Sequence, residues 1–137
     1  MMSEAGGTVS GMTIIARLAG VSLDADDPHR LASFYQQLLG LEVFLDVDDV
    51  VALKGAGFLL TTQRVEGYVP PSWPTGAIPK QMHLDIAVAD LEGAESLALS
   101  LGATRAAHQP SPEEWRVLID PAGHPFCLTT QPPLDLS

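Results

Sequence analysis

The same pattern of hydrophobic and polar positions occurs twice along the chain, at residues 20 to 41 and at residues 83 to 103. In each stretch, alternating residues predict a strand with one face in a core, and an aspartate then caps a helix whose apolar residues recur at helical spacing. A glycine ends each stretch, as is common where a helix closes in the left-handed conformation. The pattern therefore predicts a strand followed by a helix, in two copies.

The first copy shows these signals most clearly. Its alternation covers residues 13 to 25, Asp27 and Pro28 suit the start of the helix, and Gly40 suits its end. Turn residues then separate three further predicted strands in each copy. These strands lie at about 41 to 46, 49 to 54 and 57 to 63, and at about 103 to 108, 115 to 120 and 125 to 130.

The repeat predicts one domain at residues 13–131, because a βαβββ module of this size cannot close a core alone. FLLTTQ at 58–63 matches FCLTTQ at 126–131 in five of six positions. The predicted fold class is α+β, with two tandem βαβββ modules that form a curled mixed sheet around a shared cavity. The predicted parts are a disordered lead-in at 1–12, a first module at 13–63, a linker at 64–80, a second module at 81–131 and a tail at 132–137.

Charge and composition narrow the class of partner. The chain of 137 residues has a formal net charge of −10, so it offers no basic surface for nucleic acid or for an anionic membrane. It has no apolar run near the ~20 residues that span a bilayer. Its single cysteine, Cys127, excludes an internal disulfide and favours a cytoplasmic location.

Three motifs, in this order, resemble the vicinal oxygen chelate superfamily of glyoxalase and bleomycin-resistance-like proteins. They are DPHRLASFYQQLLGLEV, HLDIAVADLEGA and WRVLIDPAGHPFCL, and the resemblance covers about residues 13 to 131. It is closest to the glyoxalase-like domain branch. The resemblance implies the two-module fold and a homodimer, and in metal-dependent members it implies four ligands for a divalent cation, two from each module.

The metal ligands of the family fall on Gly20, Leu59, His83 and Cys127. Only His83 is a conventional ligand, and one imidazole does not hold a divalent ion. Cys127 lies in an apolar strand, where a free cysteine is usually a small buried hydrophobe. We therefore predict no metal cofactor, with a divalent metal possible but not favoured.

Strand alternation places His83 and Asp85 on the face opposite Leu84 and Ile86, so both should line the cavity. They are the candidate catalytic pair, since a histidine beside a carboxylate can transfer protons. An Asp85 that only binds backbone or water at the sheet rim is an equal alternative. The candidate ligand contacts are Ser22, Asp24, Gln63, Tyr68, Trp73, Trp115 and Cys127.

The aromatic candidates suit a planar ligand, although a tryptophan that pins the linker to the sheet is the alternative. The leading hypothesis is a metal-independent protein that binds a small organic molecule and sequesters a toxic or antibiotic compound. The alternative is a lyase or isomerase that uses His83 and Asp85, with or without a degenerate metal site. Three other histidines and Arg116 are interpreted as peripheral; the histidines are His29, His108 and His124.

Overall fold

Both predicted helices are present in the computed structural model, with the predicted caps. Helix α1 (Pro28–Leu39) begins after Asp27, whose side chain accepts a hydrogen bond from a first-turn amide. Helix α2 (Leu91–Leu101) begins after Asp90 in the same way. The glycine that follows each helix is left-handed, with φ of 66° after α1 and 119° after α2. The helix boundaries predicted from the sequence are confirmed.

The structure describes residues 7–9 and 11–134, without the side chains of residues 7–9 and 12. Ten strands accompany the helices in this part of the chain. They are β1 (Gly7–Val9), β2 (Met12–Ile14), β3 (Gly20–Ala25), β4 (Glu42–Val47), β5 (Val50–Lys54), β6 (Leu59–Arg64), β7 (Leu84–Ala87), β8 (Thr104–Arg105), β9 (Trp115–Ile119) and β10 (Pro125–Thr129).

Each module forms its own four-stranded mixed sheet, in the order β3-β6-β5-β4 for the first and β7-β10-β9-β8 for the second. The first strand of each module is parallel to the last, and the remaining pairs are antiparallel. This is the predicted α+β fold of two βαβββ modules. The two sheets are not closed into a barrel.

One hydrophobic core joins the two modules on the helix side of the sheets. Phe34 and Tyr35 of α1 lie 5.8 and 6.1 Å, between ring centroids, from Phe126 of the second module. The Tyr35 hydroxyl donates a 2.6 Å hydrogen bond to Asp120, which is 4% exposed. Burial raises the pKa of Asp120 above its ordinary value, and burial together with the Asp120 charge raises that of Tyr35. The modules are therefore packed as one unit.

The first strand is shorter than predicted. The alternation predicts a strand from 13 to 25, but β3 begins at Gly20, and the side chain of Leu18 is 79% exposed. Alternation alone cannot show whether a core lies beside the strand. Residues 7–9 pair with β2 in a two-stranded antiparallel ribbon, and Gly11 between the strands has a φ of 78°. This ribbon lies largely within the stretch predicted as a disordered lead-in. The predictions for residues 1–6, 10 and 135–137 fall outside the described residues.

The linker follows a defined path between the modules. Ser72 pairs with Pro79 in an isolated bridge, and the Ser72 hydroxyl donates to the carbonyl of Ile78 at 3.0 Å. These contacts close a loop that carries Trp73. Within the described part of the chain, neither helix has the length and hydrophobicity needed to cross a membrane.

Candidate functional site

A pocket of about 410 Å³ opens on the second sheet, on the face that points away from the helices. Strands β7, β9 and β10 form its floor, and the linker forms one wall. The side chains that carry its chemistry are Trp73, Lys80, His83, Asp85, Trp115 and Cys127.

Strand alternation and register bring the polar groups of this pocket together. Ile86 and Leu128 are buried in the core, so Asp85 and Cys127, one residue earlier in each strand, face the pocket. Cys127 pairs directly with Asp85 on one side and with Val117 on the other. The predicted orientation of Asp85 towards a cavity therefore agrees with the structure.

His83, Asp85 and Cys127 form a compact cluster. His83 Nε2 lies 3.0 Å from Asp85 Oδ1, and the ligand atoms of all three residues lie within 4.8 Å of one another. The side chains of His83 and Asp85 are 34% and 60% exposed, so both are open to a ligand. The cluster combines an imidazole, a carboxylate and a thiol in one small volume.

The surroundings of Cys127 disfavour ionisation of its thiol. Burial, followed by the negative charge of Asp85, raises the pKa of Cys127, and the positive charge of Lys80 opposes this shift. A raised pKa lowers the thiolate fraction at neutral pH, so Cys127 is not an activated nucleophile.

Two aromatic side chains flank the cluster. Trp73 reaches the pocket from the linker and has two polar neighbours. Its ring centroid lies 5.4 Å from the ring centroid of His108 and 5.3 Å from the Lys80 ammonium. Trp115, at the start of β9, is 37% exposed. These are the only tryptophans in the chain, so the predicted aromatic wall is concentrated in this pocket.

The corresponding face of the first sheet has different chemistry. Leu59 and Gly20, the family ligand positions of this module, pair with each other across β3 and β6. They offer no metal-binding side chain. A pocket of about 430 Å³ on this face, which the sequence analysis missed, is lined by Arg17, Ala19, Phe44, Lys54, Gly55, Gly57, Phe58 and Leu59.

Gly20 has no room for a side chain. A Cβ atom built on Gly20 would overlap the Leu59 carbonyl oxygen and would lie 3.1 Å from Leu59 Cβ. The obstacle is backbone of the neighbouring strand, which cannot rotate away as a side chain can. The close approach of β3 and β6 therefore leaves no space for a metal-binding side chain at this position of the first module.

The register of the two modules differs by two residues. The FLLTTQ and FCLTTQ match makes Cys127 the counterpart of Leu59, and Leu59 pairs with Gly20, the counterpart of His83. Cys127 instead pairs with Asp85, two residues beyond His83. Because side chains alternate along a strand, a shift of two residues leaves each side chain on the same face of the sheet. Asp85 therefore lies directly opposite Cys127, and His83 stays close to both.

The other predicted ligand contacts lie outside this pocket. Ser22 lines a separate cavity of about 140 Å³ between the modules, which His83 also lines. Gln63 is exposed on β6, where it pairs with Asp24. The Tyr68 hydroxyl donates a 2.8 Å hydrogen bond to the Ala122 carbonyl, so it holds the linker against the second module.

Two residues interpreted as peripheral have structural roles. His124 Nε2 lies 2.6 Å from the Asp24 carbonyl oxygen and joins the modules. Arg116 is only 8% exposed and pairs with Glu92 at 3.0 Å and with Glu95 at 3.3 Å. Lys80 is the charged pocket residue that the sequence did not predict, and its position three residues before His83, at the end of the linker, was the available signal.

The metal implied by the family can be tested against these residues. The second module provides an imidazole, a carboxylate and a thiol within 4.8 Å, a donor set of the kind that zinc accepts. Gly20 and Leu59 of the first module add nothing. The residues therefore fit an ion held by three ligands of one module, rather than by two from each.

Comparison with known proteins agrees with the architecture. The family model described as glyoxalase-like domain matches residues 20–129. A glyoxalase/bleomycin resistance protein/dioxygenase family enzyme from Burkholderia phytofirmans PsJN superimposes with a TM-score of 0.64 at 20% identity, over 82% of this chain and 97% of that chain.

Two further structures show the same likeness. A glyoxalase-related enzyme from Fulvimarina pelagi gives a TM-score of 0.60 at 21% identity, over 82% of this chain and 86% of that one. A lactoylglutathione lyase from Agrobacterium tumefaciens gives a TM-score of 0.55 at 17% identity, over 83% of this chain and 92% of that one. At such identities these structures support the fold alone, and no curated protein shows significant similarity to the chain. Because the family model covers both modules, the chain belongs to the glyoxalase-like domain family.

Proposed function

We propose that this protein binds a small planar organic molecule in the pocket of its second module and thereby sequesters a toxic or antibiotic compound. The observation that carries the proposal is the pocket itself, with Trp73 and Trp115 on its walls and polar groups on its floor. Pockets of this size, with aromatic walls and a few polar groups, are typical of small-molecule sites. The chain would act in the cytoplasm.

Binding of this kind requires no metal, because the tryptophan side chains supply the contact area. This follows the prediction from the sequence that no metal cofactor is needed. The test is a thermal-shift screen of planar and oxygenated compounds with protein treated with a chelator. We expect at least one compound to raise the melting temperature, and Trp115→Ala to abolish the shift.

The matched control is Phe44→Ala, which removes an aromatic side chain from the pocket of the first sheet. This variant should keep the thermal shift. If Phe44→Ala loses the shift and Trp115→Ala keeps it, the ligand binds on the other sheet and the proposal fails.

A second candidate function is a lyase or isomerase, and the 3.0 Å contact between His83 and Asp85 favours it. An imidazole beside a carboxylate is suited to moving a proton to and from a bound substrate. If a divalent metal is present, His83, Asp85 and Cys127 would hold it. Such an ion would supply Lewis-acid polarisation of a substrate oxygen.

Cobalt titration separates the metal-assisted version from the metal-free one. A Cys127–Co²⁺ bond would give an intense thiolate-to-metal absorption band in the near ultraviolet, and His83→Ala would weaken it. Cys127→Ser would remove the band but leave binding of a planar compound intact. Turnover of a glyoxalase-type substrate by the wild-type protein, lost in Asp85→Asn, would favour the enzyme over the binding protein.

The homodimer predicted from the family resemblance remains a proposal, with a second copy of this chain as the partner. Supporting it, strand β4 at the edge of the first sheet leaves several apolar side chains exposed, of which Phe44 is 63% and Val47 is 48% exposed. Edge strands with such residues tend to pair with another chain. Phe44→Asp should reduce the mass measured by analytical ultracentrifugation from dimer to monomer, whereas a dimer that persists would exclude this face.

A further inference from the structure

We infer that the ligand of the second-module pocket is a planar carboxylate, whose anionic group pairs with Lys80. The inference rests on the proposed binding function and names the chemical class of its ligand. It depends on the position, surroundings and partners of Lys80.

Lys80 is a half-buried cation inside the pocket. Its ammonium lies 5.3 Å from the centroid of the Trp73 ring, at a distance typical of a cation–π contact. The ring fixes the direction of an otherwise flexible side chain, so its charge is already positioned before a ligand arrives. Such preorganisation reduces the entropy lost on binding.

The Lys80 ammonium has no carboxylate partner within 4.0 Å among the residues that the structure describes. Asp85, the acidic residue of the same pocket, lies against His83 instead. A half-buried ammonium without a protein carboxylate favours an anionic ligand.

The rest of the pocket favours a flat, unsaturated ligand. Trp115 and Val117 of β9 and the Trp73 side chain supply apolar surface, and two prolines stiffen the rim. A planar ring fills such a space with little loss of conformational freedom. A ring and a carboxylate together define the proposed class of ligand. A cationic ligand would be repelled by the positive charge of Lys80.

The pocket on the first sheet is the main competitor, because Arg17 and Lys54 line it beside Phe44 and Phe58. It contains no tryptophan. Since both tryptophans of the chain lie in the second-module pocket, a fluorophore bound there is next to its energy donors and gives the strongest transfer. The lysine variants of the two pockets then show which one the fluorophore occupies.

The probes are coumarin-3-carboxylate and coumarin-3-carboxamide, which match in shape and differ in charge. Each is titrated into the wild-type protein with excitation of tryptophan, and coumarin emission measures binding. We expect the carboxylate to bind about fivefold more tightly than the amide, as for a partly exposed charged pair. Added salt should reduce this ratio.

Lys80→Met keeps an apolar side chain against Trp73 and should bring the ratio of the two affinities to about one. Lys54→Met, the matched variant on the other sheet, should leave the ratio unchanged. A ratio that survives in Lys80→Met, or that disappears in His83→Gln instead, would assign the anion to another group and overturn the inference.

The outcomes also separate this inference from the proposed function. Equal binding of the two probes to the wild-type protein refutes the carboxylate assignment but keeps the pocket as a binding site. Failure of both probes to transfer energy at millimolar concentration refutes the planar-ligand proposal and the inference together. Circular dichroism of each variant shows whether it is folded.

Discussion

The open faces of the two sheets differ at equivalent positions. The first sheet has Gly20 and Leu59 where the second sheet has His83 and Cys127. On their helix side the same sheets are alike, since both contribute to one hydrophobic core. The two copies therefore keep a common packing face and differ in the open face. Duplication supplied a scaffold with two open faces, and among the residues that the structure describes only the second has a cluster of His, Asp and Cys side chains that could bind a metal or transfer a proton.

The largest effect should follow from an attempt to make the two faces equal. In Gly20→His, the new side chain would collide with the backbone of Leu59, and overpacking of this kind costs about 3 kcal/mol of unfolding free energy. Urea unfolding measures the loss. Ser22→His, on the same strand and face but exposed, is the control and should be nearly neutral. A stable Gly20→His variant with increased metal affinity would show that the first face is not closed by its backbone.

A second prediction concerns the shared helix side. Tyr35→Phe removes the hydroxyl that donates to buried Asp120 and should cost about 2 kcal/mol, as for hydrogen bonds to charged groups. Tyr68→Phe removes a bond to a backbone carbonyl and should cost about 1 kcal/mol. Equal losses would mean that the Tyr35 bond has no special role in joining the modules.

The same pair has a pH dependence whose sign can be worked out. The pKa of Asp120 is higher in the folded than in the unfolded state, because burial disfavours its charge. Stability from this group is therefore fully present below its unfolded pKa of about 3.9 and is lost as pH rises through the folded pKa. Because Tyr35 stabilises the charged carboxylate, the Tyr35→Phe loss should grow with pH.

Urea unfolding at several pH values from 4 to 8 tests this dependence. Asp120→Asn cannot ionise, so its stability should fall less than that of the wild type over this range. A Tyr35→Phe loss that is constant with pH would show that Asp120 does not titrate in the folded protein over this interval.

The smallest predicted effect compares thiols on the two open faces. The raised pKa of Cys127 should slow its alkylation by iodoacetamide at pH 8, and Asp85→Asn, which removes a negative charge that raises this pKa, should speed it. In a Cys127→Ser background, Leu59→Cys places a thiol opposite Lys54 and away from Asp85. This thiol should react faster than Cys127, and a slower reaction would contradict the electrostatic difference between the faces.

Local signals were enough to predict much of the fold. Asp27, Gly40 and their counterparts Asp90 and Gly102 determine the helix ends within a few residues, because caps depend only on neighbouring backbone. Strand alternation likewise predicted that Asp85 faces away from the core. Such features need no knowledge of which strands pair.

The composition of the site depended on pairing and was therefore predicted only in part. The two-residue difference in register, which sets Asp85 opposite Cys127, arises between strands that are far apart in sequence. The sequence likewise gave no sign that Lys80 packs on Trp73 or that Tyr68 turns towards Ala122. The path of a proline-rich linker is determined by tertiary contacts rather than by periodicity.

The linker that connects the modules also supplies Trp73 and Lys80 to the pocket, while the shared core lies mainly in the helices and sheets. Substitutions of Trp73 or Lys80 would therefore change the lining of the pocket with little effect on the core. In evolutionary terms, the connector between the duplicated halves is where the lining of the pocket can change most freely, and its relatives should diverge there sooner than in the strands.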